Sequence, residues 1–427
     1  MADPSERGTL GFEFEFFPTA IAKWTAENIE SYTSTYDWEG SKIDGSETIE
    51  ELKELYPGNL IVPGEFRDRK EPYVFQHIID YLRERDVLTN DIDASMEPKL
   101  PEDEALRAQP TPFSANVHKE LYHRWSVTGD SSVTLHGTFD PDAQQSPDTY
   151  LEYEMRSCEG VELISPALTD LPESYAEVKR VFTLVRDLYF IHVNRTCGLH
   201  VHAAFGNNPI GIVALRKIAS LLFALDPFLA ELRPDSRSEN NEYCYSIRKR
   251  SNAARGYRLV DAIKGLKNPR PHFLNLNDEE PDYFMLEPKV KAVKWVPIPA
   301  AVKAIRECKR VEEVAWLMTT GCMGNYNFKK FVDGSVNPTI EFREHEATLD
   351  IDEVLAWGRF CIGIVRYAAQ DMSEGDLDKI VKMCHDAETN PEDGRFYLWE
   401  LFGFMKMTDI AEGLKVPQPP KEEDSTS

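Results

Sequence analysis

Three short segments carry acids or histidines at every second position. Gly11–Phe17 reads GFEFEFF, so an extended chain sends Glu13 and Glu15 to one face and Phe12, Phe14 and Phe16 to the other. GLHVHAAFG, Gly198–Gly206, puts His200 and His202 on a common face in the same way. In TIEFREHEATLD, Thr339–Asp350, Glu341 and Arg343 alternate with Ile340 and Phe342, while Glu344, His345 and Glu346 are expected to leave the strand. Two further segments add carboxylates. WSVTGDSSV places Asp130 in a strand beginning at Trp125, and GVELISP sets Glu162 among Val161, Leu163 and Ile164. A glutamate buried among aliphatic neighbours is costly unless it faces outward or a metal or arginine holds it. YLEYEM offers Glu152 and Glu154, which read as solvated.

Singly, each pattern has an ordinary reading: a solvated edge strand, a satisfied histidine pair, a rim ion pair. Glu13 and Glu15 repel each other unless something positive lies between them, so replacing either by glutamine is expected to leave stability without metal equal or higher. Together the segments describe a sheet with one face of Glu, Asp and His backed by an apolar face. Such a face suits several hard divalent cations, and Mg2+ keeps positions open for phosphate oxygens. The sequence holds no GxxxxGK[ST], GxGxxG, HExxH or GxSxG segment, so a nucleotide would be held by metals and scattered basic residues.

The elements that must position these groups are short strands at Leu10–Phe17, Trp125–Val133, Tyr150–Met155, Val161–Ser165, Leu199–Phe205 and Thr339–Arg343. Helical periodicity marks Pro72–Asp86, Pro172–Ile191 with Thr169 or Asp170 as cap, Ile212–Leu225, and Asp352–Met372 with Asp350 as cap. The longer apolar run Ile212–Leu232 reads as a buried helix pair, because Arg216, Lys217, Asp226 and Pro227 interrupt it. Without a strict βαβ rhythm, the class is α+β with a large antiparallel or mixed sheet. One domain is expected over 9–411, with an insertion about 37–116, between tails at 1–8 and 412–427.

The chain has 427 residues, 42% of them hydrophobic and 11% aromatic, which is enough for a sizeable core and excludes global disorder. Lysine and arginine number 48 against 73 acids, a net charge of −25. Such a chain repels nucleic acid and anionic membranes and is hospitable to divalent metals. MADPSERGTL lacks an apolar leader, and the seven cysteines are dispersed without a CxxC, which points to the cytoplasm and against a cysteine zinc site.

The ordered set GFEFEFF, W-x-V-x-x-D-S-S (Trp125–Ser132), GVELISP, CGLHVH, the segment Arg237–Cys244, NYNF (Asn325–Phe328) and IEFREHEATLD resembles the amidoligase family, over about residues 10–370. That family belongs with glutamine synthetase and glutamate–cysteine ligase, the carboxylate–amine ligases. The resemblance implies a glutamine-synthetase-like catalytic domain: a curved, mainly antiparallel sheet with a metal- and ATP-binding face and helices packed behind. It implies ATP and two or three Mg2+ or Mn2+ ions. Glu13 matches a nucleotide-side metal ligand and Glu15 a substrate-side one. Asp130 and Glu162 fall on the strands that supply further substrate-side ligands, and Glu154, eight residues before Glu162, competes with Asp130. His200 matches the histidine near the nucleotide-side metal and phosphates, and His202 would lie close to ATP. Glu341 matches another nucleotide-side ligand, and Arg343 the arginine that engages phosphate or the substrate carboxylate. Arg237, or Arg233 beside it, falls in the phosphate or substrate loop.

The implied activity is ATP-dependent amide-bond formation through an acyl phosphate, joining small-molecule or peptide carboxylates and amines. Nucleic acid and membranes are not expected as partners; a homo-oligomer is compatible. Two alternatives remain open: a guanidino or amine kinase on the same type of sheet, and a non-catalytic binding protein.

Overall fold

The run TLGFEFEFFP forms strand β1 (Thr9–Pro18), as its alternation of aromatic and polar residues requires. The computed structural model describes residues 8–18, 20–22, 48–55, 60–62, 70–91, 123–130, 132–133, 160–189, 191–205, 209–232, 244–257, 296–320, 324–332, 338–390 and 398–416. The other strands are β2 (Ala20–Ala22), β3 (Leu60–Val62), β4 (Ser126–Gly129), β5 (Val161–Ile164), β6 (Leu168–Thr169), β7 (Ile191–His192), β8 (Gly198–Ala204), β9 (Tyr326–Asn327) and β10 (Ile340–Glu346). The helices used below are α1 (Lys70–Arg83), α2 (Pro172–Leu188), α3 (Ile212–Leu229), α4 (Ile351–Arg366) and α5 (Glu374–Thr389).

The main sheet is open and antiparallel, in the order β4-β5-β1-β8-β10-β9, with β6 and β7 also pairing β1. β2 and β3 form a separate parallel pair. The architecture is therefore α+β, as expected. β1 lies inside the sheet, between β5 and β8, a central place that its aromatic face argues for against the ordinary edge-strand alternative. No helix among the described residues is long and apolar enough to cross a membrane.

The apolar face packs against helices. Phe12, Phe14, Phe16, Leu199, Val201 and Phe342 are buried. Phe12 stacks on Phe14 with centroids 5.7 Å apart, and Phe14 meets Phe182 of α2 at 5.0 Å. Gly358 of α4 is where Phe12 fits: a Cβ there would lie 2.3 Å from Phe12 Cζ. Phe12 is fully buried, so its ring has no free space to move into. Gly358→Ala should therefore destabilise the fold by about 1–3 kcal/mol, the range for overpacking a filled core. Unchanged thermal unfolding would show that the helix and sheet are not pressed together here.

Several expected boundaries shift. Leu171, not Thr169 or Asp170, is the N-cap of α2 and offers no side-chain cap. Asp170 instead accepts from Tyr175 Oη and Arg366 Nη1, both at 2.8 Å. α2 stops at Leu188, and Ile191 joins β7. α3 is one helix through Leu229 with Pro227 inside it, followed by a single 3-10 turn, not a helix pair. α4 is capped by Asp350, which accepts from Asp352 N at 3.0 Å and Glu353 N at 3.4 Å. It ends at Arg366 and passes into a π-turn at Tyr367–Asp371. Glu344, His345 and Glu346 do not leave β10. A register shift between Phe342 and His345 absorbs the extra residue and pairing continues to Glu346. The expected strand Tyr150–Met155 lies outside the described residues.

Candidate active site

Register decides which polar groups meet, because directly opposed residues share a face. Glu13 stands opposite Ile164 on β5 and His200 on β8, and Glu15 opposite Glu162. Glu341 stands opposite His202 on one side and Asn327 on the other. Thr128 pairs with Glu162, and Asp130 follows two residues later. Three donor sets result, each with ligand atoms within 4.8 Å of one another: Glu15, Asp130 and Glu162; Glu13, Glu162 and His200; Glu13, His202 and Glu341. Shared Glu162 and Glu13 link them into one continuous row across four strands.

At the centre, His200 is 2% exposed. Its Nδ1 lies 3.4 Å from Glu13 Oε2 and from Glu15 Oε1, and 3.9 Å from Glu341 Oε1. Its Nε2 is buried without a hydrogen-bond partner among the described residues. His202 Nε2 approaches Glu13 Oε1 to 2.8 Å, a close ionic contact off the line of a straight hydrogen bond, while its Nδ1 pairs with Thr339 Oγ1 at 2.9 Å. Glu15 accepts from Gly198 N at 2.5 Å. Asp130 accepts from Ser132 N at 2.7 Å. Glu341 accepts from Asn327 Nδ2 at 2.8 Å and from Arg343 Nη1.

Electrostatics divides the row. Burial pushes the Glu13 carboxyl upward, but the His202 charge and the contacts to both histidines outweigh it and hold Glu13 well below the usual carboxylate range. Burial also works against the ionised Glu341, and the charges of Arg343 and His202 win, keeping it low. Burial lowers His202, but the Glu13 charge and contact raise it on balance. Burial likewise opposes the Arg343 guanidinium, and Glu341 more than compensates. Glu162 is shifted the other way. Burial and the anions of Glu13, Glu15, Asp130 and Glu341 push it well above the usual range.

The positive group beside Glu13 is thus His202 of the neighbouring strand, and the His200 ring lies between Glu13 and Glu15. Relief from removing one anion is therefore expected most clearly at Glu162, which the neighbouring anions push upward. A carboxyl held high contributes stability below the ordinary carboxylate range and loses it as pH rises through its raised value. After chelation, Glu162→Gln, which mimics the protonated form, should gain stability of order 1 kcal/mol at pH 7, and the gain should vanish toward about pH 4. Thermal melts across that range check it; a loss of stability at pH 7 would place Glu162 in a compensated pair.

The donor set fits hard divalent cations: five carboxylates on one face, a crowded Glu162, and a buried imidazole nitrogen with no hydrogen-bond partner among the described residues. Glu13, Glu15, Asp130, Glu162, His200, His202, Glu341 and Arg343 all come together on this face. Glu152, Glu154, Arg233 and Arg237 lie outside the described residues. Sequence reasoning gave no role to Asn327 and Thr339, which hold Glu341 and His202, although both lie inside quoted motifs, NYNF and TIEFREHEATLD. It also missed a buried brace behind the face. Asp226 of α3 accepts from Asn325 Nδ2, Ser246 Oγ and Arg248 N, the last at 2.9 Å. Asn325 Nδ2 also reaches Glu344 Oε1 at 3.1 Å, and Asn325 O accepts from Arg343 N at 2.9 Å, which ties the Arg343 backbone to α3. Its sequence signals are a lone acid in the apolar run of α3 and Asn325 at the head of NYNF.

No curated protein and no solved structure matches the chain. A family model described as "Putative amidoligase enzyme" matches residues 6–257, more than half of the chain, and the match spans the strands that carry Glu13, Glu15, Glu162, His200 and His202. By that match, the chain belongs to this amidoligase family.

Proposed function

We propose that the protein is an ATP-dependent carboxylate–amine ligase acting through an acyl phosphate, on a glutamine-synthetase-like sheet that takes two or three Mg2+ or Mn2+ ions. The observation that carries this reading is the row of three overlapping donor sets ending at Arg343. Condensing a carboxylate with an ammonium in water is uphill, so the carboxylate must be activated. Its oxygen attacks the γ-phosphorus and ADP leaves; the amine nitrogen then attacks the acyl carbon, and phosphate leaves with that oxygen. Bound cations would neutralise charge on the phosphates.

The chain's own groups fall into two ends. Glu13, His202 and Glu341, next to Arg343, form the nucleotide end. Glu15, Asp130 and Glu162 form the substrate end. Arg343 presents a planar fork that matches a transferring phosphoryl group.

The test uses 18O-labelled carboxylates with ATP, Mg2+ and a panel of amines. The expected products are ADP, an amide and phosphate carrying one 18O, with turnover abolished by chelator. Amide formation without 18O transfer would exclude the acyl phosphate. A stable phosphorylated amine or guanidine would identify a kinase.

A further inference from the structure

Across β8, Phe342 pairs with Val201 and His345 with Leu199, so Arg343 and Glu344 together stand opposite His200 alone. This is a β-bulge, and at a bulge the direction of a side chain is set by what holds the two bulged residues, not by the regular pleat. Both are held by Asn325, just before β9, and Glu344 also by Tyr326, the first residue of that strand. Asn325 O accepts from Arg343 N at 2.9 Å, and Asn325 Nδ2 donates to Glu344 Oε1 at 3.1 Å. Tyr326 Oη donates to Glu344 Oε2 at 2.7 Å, and its ring meets Phe342 edge-on with centroids 5.4 Å apart. The Glu344 carboxylate therefore lies on the apolar side of the sheet, 1% exposed. Arg343 goes to the polar side, where Nη1 bonds Glu341 and stands 3.5 Å from His200 Nδ1. Asn325 is itself fixed from behind: it donates to Asp226 Oδ1 and Tyr245 O and accepts from Ile247 N. A carboxylate buried among aromatic side chains is costly. Here it is bonded at both oxygens to the neighbouring chain segment, and those bonds fix the bulge.

We propose that Glu344 is a positioning residue for Arg343: through Asn325 and Tyr326 it holds the bulge in the form that sends the guanidinium into the polar face beside Glu341 and His200. The proposal deepens the reading of Arg343 as the group that meets the transferring phosphoryl, and rests on it. Glu344 acts from the opposite side of the sheet, through the backbone of the residue before it. Asn325 grips both bulged residues, Arg343 by its carbonyl and Glu344 by its amide, so loosening at Glu344 reaches Arg343 in one step. Glutamine in place of Glu344 keeps the clip, because its amide oxygen accepts from Asn325 and its amide nitrogen donates to the Tyr326 hydroxyl. Leucine loses both bonds, and Tyr326→Phe loses one.

The test follows Arg343 itself in the full chain. Its Nε is buried without a hydrogen-bond partner among the described residues, so hydrogen exchange at Nε–H reports how firmly the side chain is seated. In 15N spectra the Arg343 Nε–H signal is identified by its loss in Arg343→Lys. Glu344→Leu should speed its exchange by at least ~10-fold. So should Tyr326→Phe, which keeps the ring against Phe342 in case the leucine variant folds poorly. Glu344→Gln should restore protection. With the carboxylate and amine selected by the 18O assay, the leucine and phenylalanine variants should lower kcat by ~10–10²-fold with KM within a few-fold, the scale of a small misplacement at a reacting group. Glu344→Gln should recover most of that loss. On an Arg343→Lys background the same changes should cost less than ~2-fold further, because no fork remains to be aimed. Unchanged Nε–H exchange in the folded variants overturns the inference alone. Losses that multiply in full on the Arg343→Lys background do the same, since they mark a merely structural residue. Arg343→Lys as active as wild type, or no turnover with any carboxylate–amine pair, overturns the reading beneath it as well.

Discussion

Glu13→Gln is expected to lower turnover by at least ~10³-fold, a loss of about 4 kcal/mol in transition-state stabilisation, and to weaken Mn2+ binding at more than one site. Glu13 is shared by two of the three donor sets, and Glu341, Asp130 and Glu15 each serve one. A single amide in its place removes charge from both. The same change should destabilise the chelated protein near neutral pH, because it deprives His202 and His200 of an anion within 2.8–3.4 Å. The signs follow from the two partners. Glu13, held low, contributes stability above the ordinary carboxylate range and loses it as pH falls through its lowered value. His202, held high, contributes below about pH 6.5 and loses its share as pH rises through its raised value. The destabilisation of Glu13→Gln should therefore be greatest between those limits. Turnover and Mn2+ titration on one preparation decide the matter. Near-normal values for both would return Glu13 to the status of a solvated surface acid.

The contrast between Glu13 and Glu162 shows what a sequence can and cannot convey. Period-two alternation put Glu13 and Glu15 on one face and His200 and His202 on another, and both placements hold because side-chain direction in a strand is a local property. Which faces meet is a long-range property. Nothing in GFEFEFF says that β8 runs beside it with His200 level with Glu13, or that β5 brings Glu162 level with Glu15. Sequence alone therefore points to crowding between the adjacent acids, whereas the acid held above its ordinary range is Glu162. The same limit explains β10. The alternation that places Glu341 and Arg343 breaks at Glu344, so the strand looks finished. Pairing with β8 and the bond from Asn325 carry it on through the bulge. The cap of α2 failed for a related reason: Asp170 is an acceptable cap locally, but Tyr175 and Arg366 claim its carboxylate.

Arg343→Lys is expected to reduce turnover by at least ~10²-fold, about 2.7 kcal/mol, with thermal stability nearly unchanged. Spacing along a strand alone would leave Glu341 and Arg343 about 6–7 Å apart, but the guanidinium folds back to bond Glu341 directly. Lysine can keep that ion pair, because a point charge is enough to satisfy one carboxylate oxygen. It cannot present two parallel donors to a phosphate or acyl-phosphate oxygen pair. Lysine thus separates the contact visible at Glu341 from the one proposed for the reaction. Had Arg343 only a packing role, removing its charge partner altogether would be the damaging change, costing about 3–5 kcal/mol as for a broken buried pair, and lysine would be harmless. Comparing Arg343→Lys with Arg343→Met resolves this. For a group that binds the transferring phosphoryl, both variants lose turnover. For a structural ion pair, lysine stays within a few-fold of wild type, and that result would remove Arg343 from the catalytic set.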